Sequence, residues 1–267
     1  MNPAQPTGAA AQTRAYVSFF APVTSQFLTP LADALGTPVG HALDLGCGDG
    51  TLARTLSTRG WSVVAVDRAG PMAAVARAAG CPDVVIADAR ALPFRTAALA
   101  AAGAAFVLPH LPEIGAGLRE LGRVVAPDGA VALTGWAAPA LSPFTGLLGT
   151  LVGSRSGDPR LAEAERRTDP DYLAAQATAA GFADVSVRVL TTTVLLPSAR
   201  EWWTGMVTAS FGLSRAVAAL PMDVRQEVRT EFLAAAGDYE ILDGEVLVPT
   251  AALLLTGRHP GRLGPAA

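Results

Sequence analysis

His41-Ala42-Leu43-Asp44-Leu45-Gly46-Cys47-Gly48-Asp49-Gly50 decides the fold class of this chain. Its first half reads as a buried strand. Glycine then stands at every second position, and a helix-like segment, Thr51 to Arg59, follows. Glycines at a strand-to-helix turn let the backbone bend tightly and let a ligand approach the main chain. The helix N-terminus adds free N–H groups and a partial positive charge. A tight turn without a ligand uses the same glycines. Asp67 moves the reading toward a nucleotide-type ligand, because it ends the next apolar run, Ser62-Val63-Val64-Ala65-Val66-Asp67. A carboxylate there accepts hydrogen bonds from ribose hydroxyls.

From His41 onward, strand and helix patterns alternate. Pro71 at a helix start and Gly80 just past its end bracket the second helix. Such βαβαβ alternation predicts a parallel sheet covered by helices on both faces, and the near-continuous apolar strands fit that burial. Ligands then belong at the carboxyl ends of the strands, near the switch in strand order. Gly46 to Gly50, Asp67, Asp88 and Phe106 all fall at such ends.

The length of 267 residues suits one large domain, or one with insertions. All 20 basic residues are arginine, which reads as coding bias rather than function. A net charge of −3 leaves no electrostatic footprint for nucleic acid. No secretory signal is visible at the N-terminus, and two cysteines, Cys47 and Cys81, suit a reducing cytoplasm rather than a disulfide framework. Gly129 to Ser154 carries no charged residue, but Pro139, Pro143 and several glycines interrupt it. It reads as a strand, Ala130 to Thr134, followed by a cap segment rather than a membrane span.

Residues 1–13 read as a disordered tail, rich in Ala, Gln, Pro and Gly. Arg14 to Leu35 reads as one or two helices with Tyr16, Phe19, Phe20, Phe27 and Leu28 on apolar faces. Beyond Trp136 an irregular segment runs to Thr168. A helix capped by Asp169 and Pro170 follows, ending at Gly181. Val185 to Leu196 and Glu245 to Thr256 read as strands. Between them, Ser198-Ala199-Arg200-Glu201 forms a capping-box pattern ahead of Trp202, Trp203 and Met206. A further helix runs from about Met222 to Ala236.

The glycine spacing departs from the dinucleotide fingerprint, which wants its third glycine at position six; here Thr51 stands there and Gly50 comes one residue early. That spacing resembles motif I of the class I S-adenosylmethionine-dependent methyltransferases. The similarity continues through Asp67-Arg68-Ala69-Gly70-Pro71-Met72, through Val84-Val85-Ile86-Ala87-Asp88-Ala89-Arg90-Ala91-Leu92-Pro93-Phe94, and through Phe106-Val107-Leu108-Pro109-His110-Leu111-Pro112-Glu113. It ends in Leu118-Arg119-Glu120-Leu121-Gly122-Arg123-Val124-Val125-Ala126-Pro127-Asp128-Gly129. These segments stand in the family's order and lie nearest its small-molecule ("type 11") branch. They cover about half the chain, to about Trp136. Where the family commonly has Phe-Asp before the fourth strand, Leu99-Ala100 stands here.

The resemblance implies an α/β, Rossmann-like fold. Its sheet is mostly parallel and seven-stranded, with helices on both faces, an antiparallel edge strand and a helical cap. The whole of residues 14–267 is expected to form a single methyltransferase domain, with cap segments at about 137–168 and 197–244. The implied cofactor is S-adenosylmethionine. Gly46, Cys47, Gly48 and Gly50 would set backbone against its methionine end, and Asp44 would orient the loop. Asp67, with Arg68 beside it, would take the ribose hydroxyls. Met72 would pack on adenine, Asp88 and the Ala89 N–H would bind its edge, and Phe106 would lie beside the sulfonium. Tyr16 is the N-terminal residue expected to reach the cofactor.

His110, just after the fourth strand, is the candidate general base for a hydroxyl acceptor, since imidazole titrates near neutral pH. Its alternative role is packing within a Leu-Pro-His-Leu-Pro turn. Trp136, Trp202 and Trp203 are expected to wall a largely apolar, aromatic or polyketide-like acceptor, with core packing as the alternative. No metal is expected, because only Glu113 lies near the fourth strand in the place of metal-binding carboxylates. The expectation is a cytoplasmic, metal-independent methyltransferase, monomeric or homodimeric, acting on a small molecule and not on nucleic acid. Two alternatives share the fold: an S-adenosylmethionine-binding protein doing other chemistry, such as cyclisation, and a non-catalytic binding subunit.

Overall fold

A computed structural model describes residues 8–81, 83–111 and 113–261. The apolar runs become strands β1 (His41–Leu45), β2 (Ser62–Asp67), β3 (Val84–Ile86), β4 (Leu99–Ala105), β5 (Val125–Trp136), β6 (Ala183–Leu196) and β7 (Val246–Arg258). They form one seven-stranded sheet in the order β3-β2-β1-β4-β5-β7-β6. β1 pairs in parallel with both β2 and β4, β2 with β3, and β4 with β5. β7, between β5 and the edge strand β6, runs antiparallel to β5. The Asp128 N–H donates to the His259 carbonyl at 2.9 Å, and the Ala137 N–H to that of Ala251 at 3.1 Å. The expected mostly parallel, Rossmann-like sheet therefore holds. Strand order reverses between β1 and β4, so the crevice outside their carboxyl ends is where such sheets receive ligands.

The chain divides into two compact units. One comprises Thr24–Gly135, Asp169–Val189 and the chain from Leu253. The other comprises the chain up to Val23, Trp136–Thr168 and Leu190–Ala252. In the first unit, the helix Ile114–Val124 buries Ile114, Gly117, Leu118, Leu121 and Val124, the spacing of one helical face. The same helix anchors the loop that leaves β3. Glu120 Oε1 accepts the Leu92 N–H at 2.7 Å, and the Arg123 guanidinium donates to the carbonyls of Leu92 at 3.0 Å and Phe94 at 2.8 Å. The Leu92-Pro93-Phe94 and Glu120/Arg123 segments thus act as two halves of one latch.

The second unit is helical around an aromatic core. The segments read as caps form most of it, together with the N-terminal helix. That helix runs Ala9–Phe19 and buries Thr13, which corrects the expected tail. Alanine and glutamine are helix formers, and here the helix gains packing; residues 1–7 lie outside the described residues. The segment read as irregular after Trp136 also differs, since it contains helices Pro143–Ser156 and Pro159–Arg166. Each has proline in its first turn, and Asp158 caps the second by accepting the Arg160 N–H at 3.0 Å. Among the described residues no helix is long and apolar enough to cross a membrane.

Within this core, Trp202 stacks parallel to Phe144 at 6.4 Å and meets Phe232 edge-on at 4.9 Å. Its Nε1 donates to the Phe144 carbonyl at 2.9 Å. Gly205, one turn further along the same helix, lies so close to Phe19 that a methyl group there would overlap the ring. The helix Ala199–Ala209 starts as its capping box implies, with Ser198 Oγ accepting the Glu201 N–H at 3.2 Å. Trp202→Ala should lower stability by about 3–5 kcal/mol, the range for emptying a buried aromatic site, as measured by urea unfolding.

Candidate cofactor site

Asp44 is the fourth residue of β1, and its side chain is 1% exposed. Oδ2 accepts the Ala53 N–H at 2.9 Å, satisfying an orphan donor in the first turn of the helix Thr51–Thr58. Oδ1 is buried with no partner among the described residues. Burial pushes this carboxyl up to about 7; the Ala53 N–H and Arg54 oppose the rise, while Asp67 and Asp49 add to it.

Between strand and helix the chain turns through Gly46 (φ 65°) and Gly50 (φ 77°), both in the left-handed region. A methyl group at Gly46 would overlap the Val107 side chain, and one at Gly50 would overlap the Cys81 thiol. The turn is therefore closed on two sides by residues from elsewhere in the unit. Cys47 is buried, its N–H donates to the Val66 carbonyl at 2.9 Å, and burial raises its thiol well above the ordinary value. Gly48 differs from its neighbours, because nothing lies within 4 Å of where its Cβ would stand. Its N–H donates to Asp67 Oδ2 at 3.0 Å, while Asp67 Oδ1 accepts the Ala69 N–H at 2.8 Å. Each Asp67 oxygen keeps a lone pair for a further donor.

The remaining sites follow the strand ends. Arg68, after Asp67, is exposed, and Met72 is buried in the helix Gly70–Ala78. Asp88 is held in a fork by Arg90, Nε at 2.9 Å and Nη2 at 2.8 Å, and also accepts the Arg90 N–H. Arg90 holds its carboxyl well below the ordinary range. Ala89 is half-buried in this turn. Phe106, at the end of β4, adopts φ 55°, an outlier for a bulky side chain. Its N–H donates to both the carbonyl (3.0 Å) and Oγ1 (3.2 Å) of Thr134, and its ring meets Phe27 edge-on at 5.7 Å. His110 closes a short turn, Leu108–His110, with its N–H on the Val107 carbonyl at 2.8 Å, and is exposed.

The first unit thus contains Asp44, Gly46, Cys47, Gly48, Gly50, Asp67, Arg68, Met72, Asp88, Ala89, Phe106 and His110. Tyr16, Trp136, Trp202 and Trp203 belong to the second. Tyr16 stacks on Phe20 at 5.6 Å and meets Phe211 at 6.1 Å. Trp136 is half-buried, 6.1 Å from Phe20 and 6.0 Å from Phe144. Trp202 and Trp203 are 0% and 1% exposed, so neither offers a surface to an acceptor. The expected substrate wall is corrected at these two positions, where the aromatic core has taken both rings. Thr134 was missed, because its bond to Phe106 depends on the β4–β5 register. The Glu120–Arg123 latch was also missed, although both residues stand in a quoted motif.

An open glycine backbone, a carboxylate with lone pairs to spare, and a buried acidic oxygen lacking a partner suit a ligand carrying a diol and a positive charge. Residues 43–133 match the family model described as a methyltransferase domain. Over 167 residues the chain is 32% identical to a demethylmenaquinone methyltransferase of Corynebacterium kroppenstedtii, covering 58% of this chain and 72% of that protein. The chain belongs to the class I S-adenosylmethionine-dependent methyltransferases. A second demethylmenaquinone methyltransferase, of Beutenbergia cavernae, is 35% identical over 120 residues, 44% of this chain; the match spans 50% of that protein's length. The methyltransferase fold is shared with Haemonchus contortus phosphoethanolamine N-methyltransferase 2, solved in complex with S-adenosyl-L-methionine. There the TM-score is 0.57 at 15% identity, covering 94% of this chain and 57% of that one.

The buried acid of this methyltransferase gives its stability a pH signature. A carboxyl whose folded value lies above its unfolded value stabilises the fold fully at low pH, and the contribution is lost as pH rises through the folded value. Wild-type stability relative to Asp44→Asn should therefore fall by on the order of 4 kcal/mol as pH rises from the ordinary carboxylate range to about 7. Urea unfolding of both proteins across this range measures the difference. Parallel curves would remove the titration from Asp44.

Proposed function

We propose that this chain transfers a methyl group from S-adenosylmethionine to a small, largely apolar metabolite at a hydroxyl oxygen. The observation that carries the cofactor assignment is the Gly48–Asp67 pair, a loop glycine with open space beside its Cα whose N–H is bonded to a carboxylate that retains acceptor capacity. Asp67 holds the ribose hydroxyls, with Arg68 beside it. Gly46, Cys47, Gly48 and Gly50 offer backbone to the methionine end, and Asp44 orients that loop through the Ala53 N–H. Met72, Asp88 and the Ala89 N–H take the adenine, while Phe106 borders the reacting centre.

When bound, S-adenosylmethionine supplies a sulfonium-activated methyl group. These residues contribute chiefly orientation, and well-aligned reactants can lower a barrier by roughly 7–11 kcal/mol. An imidazole nitrogen of His110, an exposed residue just after β4, receives the acceptor's hydroxyl proton. The apolar character of the acceptor is supported by the uncharged stretch Gly129 to Ser154, by the half-buried Trp136, and by the small-molecule name its curated relatives carry. The free, buried thiols of Cys47 and Cys81 support a reducing, cytoplasmic setting.

Incubation with methyl-labelled S-adenosylmethionine and a lipophilic metabolite extract should transfer label to an extractable small molecule. Tight cofactor binding without transfer would instead identify a binding protein. Asp67→Ala should weaken cofactor binding by about 1–3 kcal/mol, the cost of leaving buried hydroxyls unpaired; unchanged affinity by calorimetry removes Asp67 from the site. His110→Ala should cut turnover about 10²-fold with cofactor affinity near wild type, and a fully active variant would leave positioning alone as the mechanism.

A further inference from the structure

The loop that ends at Gly50 starts two residues beyond a buried acid that backbone bonding leaves incomplete. One oxygen of Asp44 is held by the Ala53 N–H, and the other is sealed from solvent with no hydrogen-bond partner among the described residues. The charged and titratable groups facing it are Asp67 from β2, Asp49 from the loop, Arg54 from the following helix, and the neighbouring Cys47 thiol. The single cation among them is turned to the loop, because Arg54 donates to the Asp49 carbonyl and to Thr51 Oγ1, both at 2.9 Å. An ionised carboxylate in this position lacks both solvent and a paired cation, which is costly. Its burial raises the carboxyl into the neutral range, in agreement with that geometry.

We propose that Asp44 carries a proton in the free protein and that a cationic ligand at the glycine loop drives this proton into solvent, making the buried carboxylate the counter-charge of the methyl donor. This rests on the proposed use of the loop for S-adenosylmethionine. The O–H bond of the carboxyl breaks, the proton passes to buffer, and no bond to the ligand is formed. Asp44 then discriminates between the two states of the cofactor. S-adenosylmethionine carries a net positive charge that its thioether product, S-adenosylhomocysteine, lacks. Affinity for the donor rises with pH until Asp44 ionises unaided, while affinity for the product changes less.

The test is calorimetry of the full chain with S-adenosylmethionine and, separately, S-adenosylhomocysteine. Titrations are run slightly below neutral pH in buffers of different ionisation enthalpy. Proton release should accompany the donor and be smaller for the product. Asp44→Asn, which keeps an acceptor for Ala53, should abolish the release and make the donor-to-product affinity ratio independent of pH. Donor binding with no buffer-dependent heat, or release that persists in Asp44→Asn, overturns the proposal while leaving the cofactor assignment intact. Failure of the wild-type chain to bind the donor overturns both. Should the variant not fold, carbon-detected titration of the Asp44 carboxyl in the free wild-type protein decides instead. Titration near neutrality is expected, and titration in the ordinary acid range overturns the coupling.

Discussion

The turn between β1 and its helix is possible only because no side chain stands at Gly46 or Gly50. Val107 closes on the first position and Cys81 on the second, each from a different part of the chain. The first approach sets the chain after β4 against the end of β1, and the second seats the start of the following helix against Cys81. It also aligns the helix Thr51–Thr58 so that its first turn can be capped from beneath by Asp44. With the loop packed behind, Gly48 is left facing outward and tied to Asp67. A larger residue at either packed position would push Val107 or Cys81 away and disturb every other part of the site.

The acidic residues around this turn differ in role because they differ in environment. Asp67 has backbone N–H groups on both oxygens and remains half-buried, which fixes its orientation and leaves lone pairs for a ligand's donors. Asp88 is clamped by Arg90 at the surface, an arrangement that fixes its orientation more than it stabilises the fold. Asp44 is sealed from solvent and has no paired cation among the described residues, so burial dominates. The strained Phe106 belongs to the same frame. Its left-handed backbone is held by two acceptors on Thr134 and by the Phe27 ring, and it directs Val107 onto Gly46. Strain retained at such a point is usual where a site must be held in one shape.

Most of the sheet was legible in the sequence. The bounds of β1 and β2, the glycine turn and the acidic strand end at Asp67 follow from apolar runs and turn chemistry alone. Asp169 and Ser198 cap helices as their spacing implies. The uncharged segment after Trp136 was harder, because glycine, threonine and apolar residues are mixed around the helix Pro143–Ser156 and leave no clear periodicity against which to read it. Trp202 and Trp203 illustrate a different limit. Their spacing on a capped helix shows that one face is buried, but not whether a ligand or other helices bury it; here Phe144, Phe232 and Tyr239 do. Thr134 carried no local signal, because its partner is fixed only when β4 and β5 take up their register.

All of these features bear on one claim, that the glycine turn and Asp67 together form the cofactor site. The most direct measurement is a titration of the nitrogen-labelled protein with S-adenosylmethionine, followed residue by residue through its backbone amides. The expected result is a saturable, one-to-one change concentrated at Gly46, Gly48, Asp67 and Ala69. Saturable binding that leaves those four amides unmoved would contradict it.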